Sequence, residues 1–305
     1  MITPLNRRSF IKRGGAALAA AALVPGLHAD VIPKKRALRK AFMMNAFPGG
    51  KELSWIEKFK LLKDAGFEGA EPPSHANQTE ILAARDATGL LIPSVVAGQY
   101  TRPLSDNDPA KRAEAVEGLK QALRDAKAYG ATSVLCVAGI VNEKIPYAAA
   151  YERTVKGIRE AIPLAEELGV KIAVENVWNN LHLSPLEAAR YVDDFKSPAV
   201  GWHFDIGNVI CNGWPEQWIH ILGPRIQKLH IKEFSRKKMI EHGLHKGFEV
   251  EYLEGDNDWP TVMKALDDIG YTGFAMAEPA WEPKGVEPGE RLKQISEKMT
   301  KIFSL

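Results

Sequence analysis

The chain has 305 residues, 45% of them hydrophobic and 26% charged, with 25 Gly and 19 Pro; this composition builds a large core and excludes a disordered or fibrous protein. No apolar run reaches the ~20 residues of a membrane-spanning helix, which excludes a multi-pass membrane protein. Two cysteines, Cys136 and Cys211, are too few for a disulfide scaffold or a Cys-rich zinc site, so a bound metal is expected on oxygen and imidazole ligands.

Residues 1–29 read as a removable export signal. Asn6-Arg7-Arg8-Ser9-Phe10-Ile11-Lys12 carries paired arginines ahead of the apolar stretch Gly14 to Leu27, and Leu27-His28-Ala29 ends it. This is the pattern of twin-arginine (Tat) export, so the Tat machinery is an expected partner and the periplasm the expected location. Removing Arg7, Arg8, Lys12 and Arg13 lowers the 40 basic residues to 36 against 38 acidic ones and turns the net charge of +2 to −2. No basic footprint for nucleic acid remains. Residues 30–39, with Lys34, Lys35, Arg36 and Arg39, read as a solvated linker, and residues 40–305 as one domain.

From Lys40 onward an amphipathic stretch, a Gly and a short apolar run recur. The marks are Gly66, Gly89, Gly130, Gly169 and Gly270, each placed where a helix ends and a strand follows. Strands are expected, in chain order, at Ala41–Asn45, Gly69–Glu71, Ile92–Val96, Ser133–Ala138, Lys171–Glu175, Gly201–Asp205, Gln227–His230 and Phe274–Glu278, with helix-length segments between them. Eight nearly continuous apolar strands in ~250 residues predict an α/β fold, a single-domain (β/α)8 TIM barrel. A doubly wound open sheet is the alternative, but no Gly-x-Gly-x-x-Gly turn accompanies the strands.

Four strands of the second half end in metal-competent residues: Glu175 in Val174-Glu175-Asn176, Asp205 in Phe204-Asp205-Ile206-Gly207-Asn208, His230 in Leu229-His230-Ile231-Lys232, and Glu278 in Ala277-Glu278-Pro279. Carboxyl ends of barrel strands converge on one face. A helix cap explains any one acid taken alone, but three carboxylates brought together repel unless a cation or protons neutralise them. Three carboxylates and one imidazole suit one divalent ion, Mn²⁺ or Mg²⁺ first and Co²⁺ or Zn²⁺ next. His203, two before Asp205 on the same strand face, and Glu71, at the end of the second strand, are candidate substrate contacts, and Trp178, Trp202, Trp214 and Phe47 are candidate stacking surfaces for a sugar. The stretch from Lys232 to Asp258 exceeds an ordinary strand-to-helix loop and reads as a substrate lid or a plain surface excursion.

On these motifs, together with Gly66-Phe67-Glu68-Gly69-Ala70-Glu71, Leu229-His230-Ile231-Lys232-Glu233, Leu253-Glu254-Gly255-Asp256-Asn257-Asp258-Trp259 and Gly270-Tyr271-Thr272-Gly273, the chain resembles the xylose-isomerase-like TIM barrels of sugar isomerases and epimerases over residues 40 to 303. The resemblance implies that Glu175, Asp205, His230 and Glu278 ligate the metal and that Glu175 and Glu278 also move protons. It implies abstraction of a proton beside a carbonyl, through an enediolate, on a ketose or keto-sugar. Asn208 stands where ketose 3-epimerases commonly place a His, and Leu181 where they place an acid; Arg236, six residues after His230, matches the Arg they use near substrate oxygens. Asn208 and Arg236 therefore join His203 and Glu71 as expected substrate-binding residues.

Export favours a small, non-phosphorylated sugar as partner. Rival readings are a metal-dependent lyase or hydrolase-like enzyme that cleaves 3-keto-glycosides by elimination, and a noncatalytic periplasmic sugar-binding protein. Pairing into a homo-oligomer is in keeping with the family.

Overall fold

A computed structural model of the protein describes residues 37–50 and 52–305; the export signal read in residues 1–29 lies outside them. Eight strands run parallel: β1 (Leu38–Met43), β2 (Gly69–Glu71), β3 (Ser94–Val96), β4 (Ser133–Cys136), β5 (Lys171–Glu175), β6 (Val200–Asp205), β7 (Ile226–Ile231) and β8 (Gly273–Ala277). They pair in the order β2-β1-β8-β7-β6-β5-β4-β3. The seam between β2 and β3 is held by Ala70 N donating to Leu91 O and Val96 N to Pro72 O, both at 2.9 Å, with bridges at Gly69–Leu91 and Pro73–Val96. The sheet thus closes nearly completely into the expected (β/α)8 barrel.

All eight expected strands are present, and the boundaries differ for local reasons. β3 starts at Ser94, not Ile92, because Pro93 has no N–H to give the ladder. β1 starts at Leu38, inside the stretch read as linker, because Leu38 and Arg39 pair with Gly273 and Phe274 of β8. Arg39 also lies over the Phe274 ring and bonds Glu68 at 2.8 Å. β4 stops two residues short of Ala138.

The helices are α1 (Trp55–Asp64), α2 (Gln78–Thr88), α3 (Gly98–Thr101), α4 (Pro109–Tyr129), α5 (Tyr147–Leu168), α6 (Pro185–Asp193), α7 (Pro215–Leu222), α8 (Arg236–His242), α9 (Trp259–Asp268) and α10 (Pro288–Phe303). Capping boxes start α1 (Ser54 with Glu57) and α6 (Ser184 with Glu187), satisfying amides that the first helical turn leaves unpaired. At the other end, Gly130 and Gly169 take φ of 78° and 67°, the left-handed conformation that lets α4 and α5 stop and turn into strands. No helix among the described residues is long and apolar enough to cross a membrane.

Strand alternation separates packing from chemistry. On β6, Trp202 and Phe204 face the helices, Phe204 stacking on Trp218 of α7, while His203 and Asp205 face the barrel axis. On β7, Leu229 and Ile231 belong to the buried shell, and Lys228 and His230 point the other way. The polar column of the barrel is therefore built by the same two-residue period that builds its apolar coat.

The stretch after β7 is ordered by one buried acid. Glu233 accepts from Leu253 N at 2.9 Å, Asn257 Nδ2 at 2.6 Å and Trp259 Nε1 at 2.9 Å, which accounts for the run Leu253 to Trp259 as an anchored loop. Between these anchors α8 and a 3-10 turn, Leu244–Phe248, rise over the barrel mouth. None of the α8 residues is buried.

Candidate metal centre

Glu175 and Asp205 are the last residues of β5 and β6, His230 is the last but one of β7, and Glu278 directly follows β8. Their donor atoms all lie within 4.8 Å of one another. His230 Nδ1 is 2.8 Å from Glu175 Oε1 and 2.8 Å from Glu278 Oε2. Lys232, two residues beyond His230 on the same face of the chain, puts Nζ 2.8 Å from Asp205 Oδ2 and 2.7 Å from Glu278 Oε1. Asn176 fixes the end of β6: its Oδ1 accepts from Asp205 N at 3.0 Å and Trp202 Nε1 at 3.1 Å, and its Nδ2 donates to Asp205 O at 2.7 Å.

The buried acids of this group depend on nearby positive charge. Burial raises the Glu175 carboxyl above the usual carboxylate range and pushes Asp205 up to about 7, despite the neighbouring Lys232 ammonium. For Glu278 burial acts the same way, but Lys232 and His230 outweigh it and hold the carboxyl well below its ordinary value. His230 keeps its proton far above its ordinary range because Glu278, Glu71 and Glu175 outweigh its burial. Lys232 and His230 are the positive groups in ion-pair contact with Glu175, Asp205 and Glu278.

The donor set fits a divalent ion. Asp205 Oδ2 and Glu278 Oε2 are buried and accept no well-aligned hydrogen bond, although Lys232 and His230 lie within ion-pair distance of them. Their lone pairs are left over, and in a buried site such orphans are normally satisfied by water or an ion. Hard oxygen donors with one imidazole are the ligand chemistry of such a cation.

The sequence-expected substrate contacts divide. Asn208 reaches the site: its amide donates to Asp205 Oδ1 at 2.9 Å, its Oδ1 is 3.4 Å from Lys232 Nζ, and its side chain lines the cavity. Glu71 and His203, in contrast, are fully buried beneath the carboxylates and do not line the cavity. Burial, with the charges of His230 and Lys228, holds the His203 pKa well below its ordinary value. Arg236 does not line the cavity either. Its guanidinium donates to Ile210 O and Gly213 O at 2.8 Å each and its amide to Asp256 at 2.6 Å, which ties α8 to the β6 loop. Of the aromatic candidates only Trp178 lines the cavity; Trp202 is fully buried, Trp214 lies under Arg236, and Phe47 packs edge-on against Phe42.

Two polar groups of the site were not singled out by motif reading, Lys232 and Asn176. The period of two from His230 to Lys232 is a signal that places both on the axial face. Gly207 belongs to the same contact: a Cβ there would sit 2.7 Å from Lys232 Cγ and 2.8 Å from Lys232 O, so only Gly lets the β6 loop lie this close to Lys232.

These residues wall a cavity of about 630 Å³ at the barrel mouth. Glu175, Glu278, Lys232 and Asn208 give it polar lining, and the apolar cluster of Val96, Leu135 and Val137 lines it as well. Trp178 and Phe248 also line it, with ring centroids 4.8 Å apart, so the stretch after β7 contributes directly to the wall.

An eight-stranded parallel barrel with a buried carboxylate and imidazole cluster at its carboxyl face defines a metal-competent TIM barrel. The chain belongs to the xylose isomerase-like TIM barrel family, whose family model matches residues 59–302. It is 25% identical over 264 residues to the L-ribulose-5-phosphate 3-epimerase UlaE of Escherichia coli O1:K1, covering 80% of this chain and 87% of that one. In fold it is similar to the 3-keto-D-glucoside 4-epimerase YcjR of E. coli, with a TM-score of 0.72 at 16% identity over 88% of this chain and all of that one. It is also similar to the IolI protein solved with a zinc atom, with a TM-score of 0.70 at 17% identity over 87% of this chain and 98% of that one.

Proposed function

We propose that the protein is a divalent-metal-dependent sugar epimerase of the isomerase class, acting on a free ketose or keto-sugar outside the inner membrane after Tat export. The observation that carries this reading is the placement of Glu175 and Glu278. They stand on β5 and beyond β8, flanking the strands that bear Asp205 and His230, and both line one cavity. Two carboxylates bracketing a bound sugar are what inversion of a carbon beside a carbonyl needs, one to take the proton and one to return it.

Glu175, Asp205, His230 and Glu278 are the residues that would hold the ion, with Mn²⁺ or Mg²⁺ favoured by the three oxygen ligands. When bound, a divalent cation supplies Lewis-acid polarisation of the carbonyl and offsets the negative charge of the enediolate. Lys232 adds a cationic hydrogen-bond donor beside that charge, and Asn208 Oδ1 accepts from its ammonium. Trp178 and Phe248 give the cavity an aromatic part of its wall against which a sugar face can pack. The export signal supports a non-phosphorylated substrate, in contrast to the phosphosugar in the name of UlaE.

The test is incubation of metal-loaded protein with free ketoses and keto-glycosides in D₂O, followed by NMR. Deuterium beside the carbonyl together with an epimer is the expected result. Aglycone release instead of an epimer identifies a lyase, and binding without exchange across the panel contradicts an epimerase of free sugars.

A further inference from the structure

The sequence motif that ends in Glu71 places a fully buried acid outside the cavity, where it touches no substrate-accessible surface. Glu71 Oε2 is 2.8 Å from His230 Nε2, and both side chains are completely buried. Its other oxygen, Oε1, accepts no hydrogen bond and lies 4.0 Å from His203 Nδ1. The His203 ring meets His230 edge-on at 4.2 Å between centroids. Among the described residues His230 is the one hydrogen-bond partner of the Glu71 side chain.

We propose that Glu71 is the positioning residue of the metal centre, holding a proton on His230 Nε2 so that the lone pair of Nδ1 is presented to the ion. This rests on the metal site proposed above. The chemistry is restrictive: an imidazole that ligates an ion has given up one of its two ring protons and keeps one N–H and one lone pair, and an ionised carboxylate can only accept. Nδ1 is the nitrogen that faces Glu175 and Glu278, so Nε2 must carry the hydrogen, and Glu71 is the acceptor that fixes it there. A carboxylate behind a ligating imidazole also makes that imidazole a stronger donor to the ion. β2 is thereby tied to β7 across the barrel axis, and Glu71 acts on the ion through His230 without touching it.

The test is the affinity of the full-length protein for Mn²⁺ and Co²⁺, measured by competition with a chelating dye for the unaltered protein and for Glu71→Gln. Affinity lower by about 10- to 100-fold is expected for Glu71→Gln, the usual effect of losing such a partner, with a shifted Co²⁺ absorption spectrum. Equal affinity in a folded Glu71→Gln protein overturns the role of Glu71 and leaves the metal site standing. An unaltered protein that binds neither ion overturns both. Should Glu71→Gln fail to fold, ¹⁵N-histidine NMR of the unaltered protein loaded with Zn²⁺ decides the matter. A proton on His230 Nε2 is expected, and a proton on Nδ1 overturns the proposal.

Discussion

Glu175→Gln and Glu278→Gln are each expected to lower turnover, and exchange of the substrate C–H with solvent deuterium, by about 10² to 10⁴-fold, the range that a positioned acid or base supplies. Gln keeps a carbonyl oxygen able to bind the ion but can neither accept nor return the proton. The comparison is therefore made at saturating metal, with ion content confirmed by elemental analysis. Both carboxylates line the cavity, and Glu278 remains 19% exposed while Glu175 is nearly buried, so the two variants need not be equally impaired. Full exchange in both would remove the glutamates from the chemistry. Loss of product with retained exchange in one of them would identify it as the group that reprotonates the substrate.

Lys232→Met is expected to destabilise the metal-free protein by about 3–5 kcal/mol, the usual consequence of removing one partner from a buried ion pair. Lys232 Nζ lies between Asp205 Oδ2 and Glu278 Oε1, and without it Asp205 loses its ion-pair partner and Glu278 keeps only His230. A divalent ion supplies the missing charge, so metal should raise the melting temperature of Lys232→Met more than that of the unaltered protein. The measurement is thermal unfolding of both proteins with and without Mn²⁺. Equal metal-induced shifts, or an undisturbed metal-free variant, would mean that Lys232 does not balance this group.

How much of this was legible in the sequence follows from what each signal encodes. Strand number and order were readable because parallel strands are short apolar runs and each helix end before them needs a turn residue such as Gly130 or Gly169. The convergence of Glu175, Asp205, His230 and Glu278 was readable because strand ends of a barrel share one face. Reach and orientation were not. Glu71 and His203 occupy strand positions that face the axis, but whether such a residue lines the mouth or sits one layer below depends on stagger between strands, which no local pattern records. Arg236 was placed near substrate by its distance from His230, whereas the start of α8 carries its guanidinium to the carbonyls of Ile210 and Gly213. Lys232 was within reach of period-two reasoning, but its pairing with two acids from other strands is a tertiary fact.

The most direct measurement is crystallographic: the full-length protein crystallised with Mn²⁺, with anomalous differences collected at the manganese edge. One peak within bonding distance of Glu175, Asp205, Glu278 and His230 Nδ1, with Lys232 Nζ moved away from Asp205 Oδ2, is the expected result. No peak in that group, with Lys232 still paired to Asp205 and Glu278, would contradict a metal centre at the mouth of this barrel.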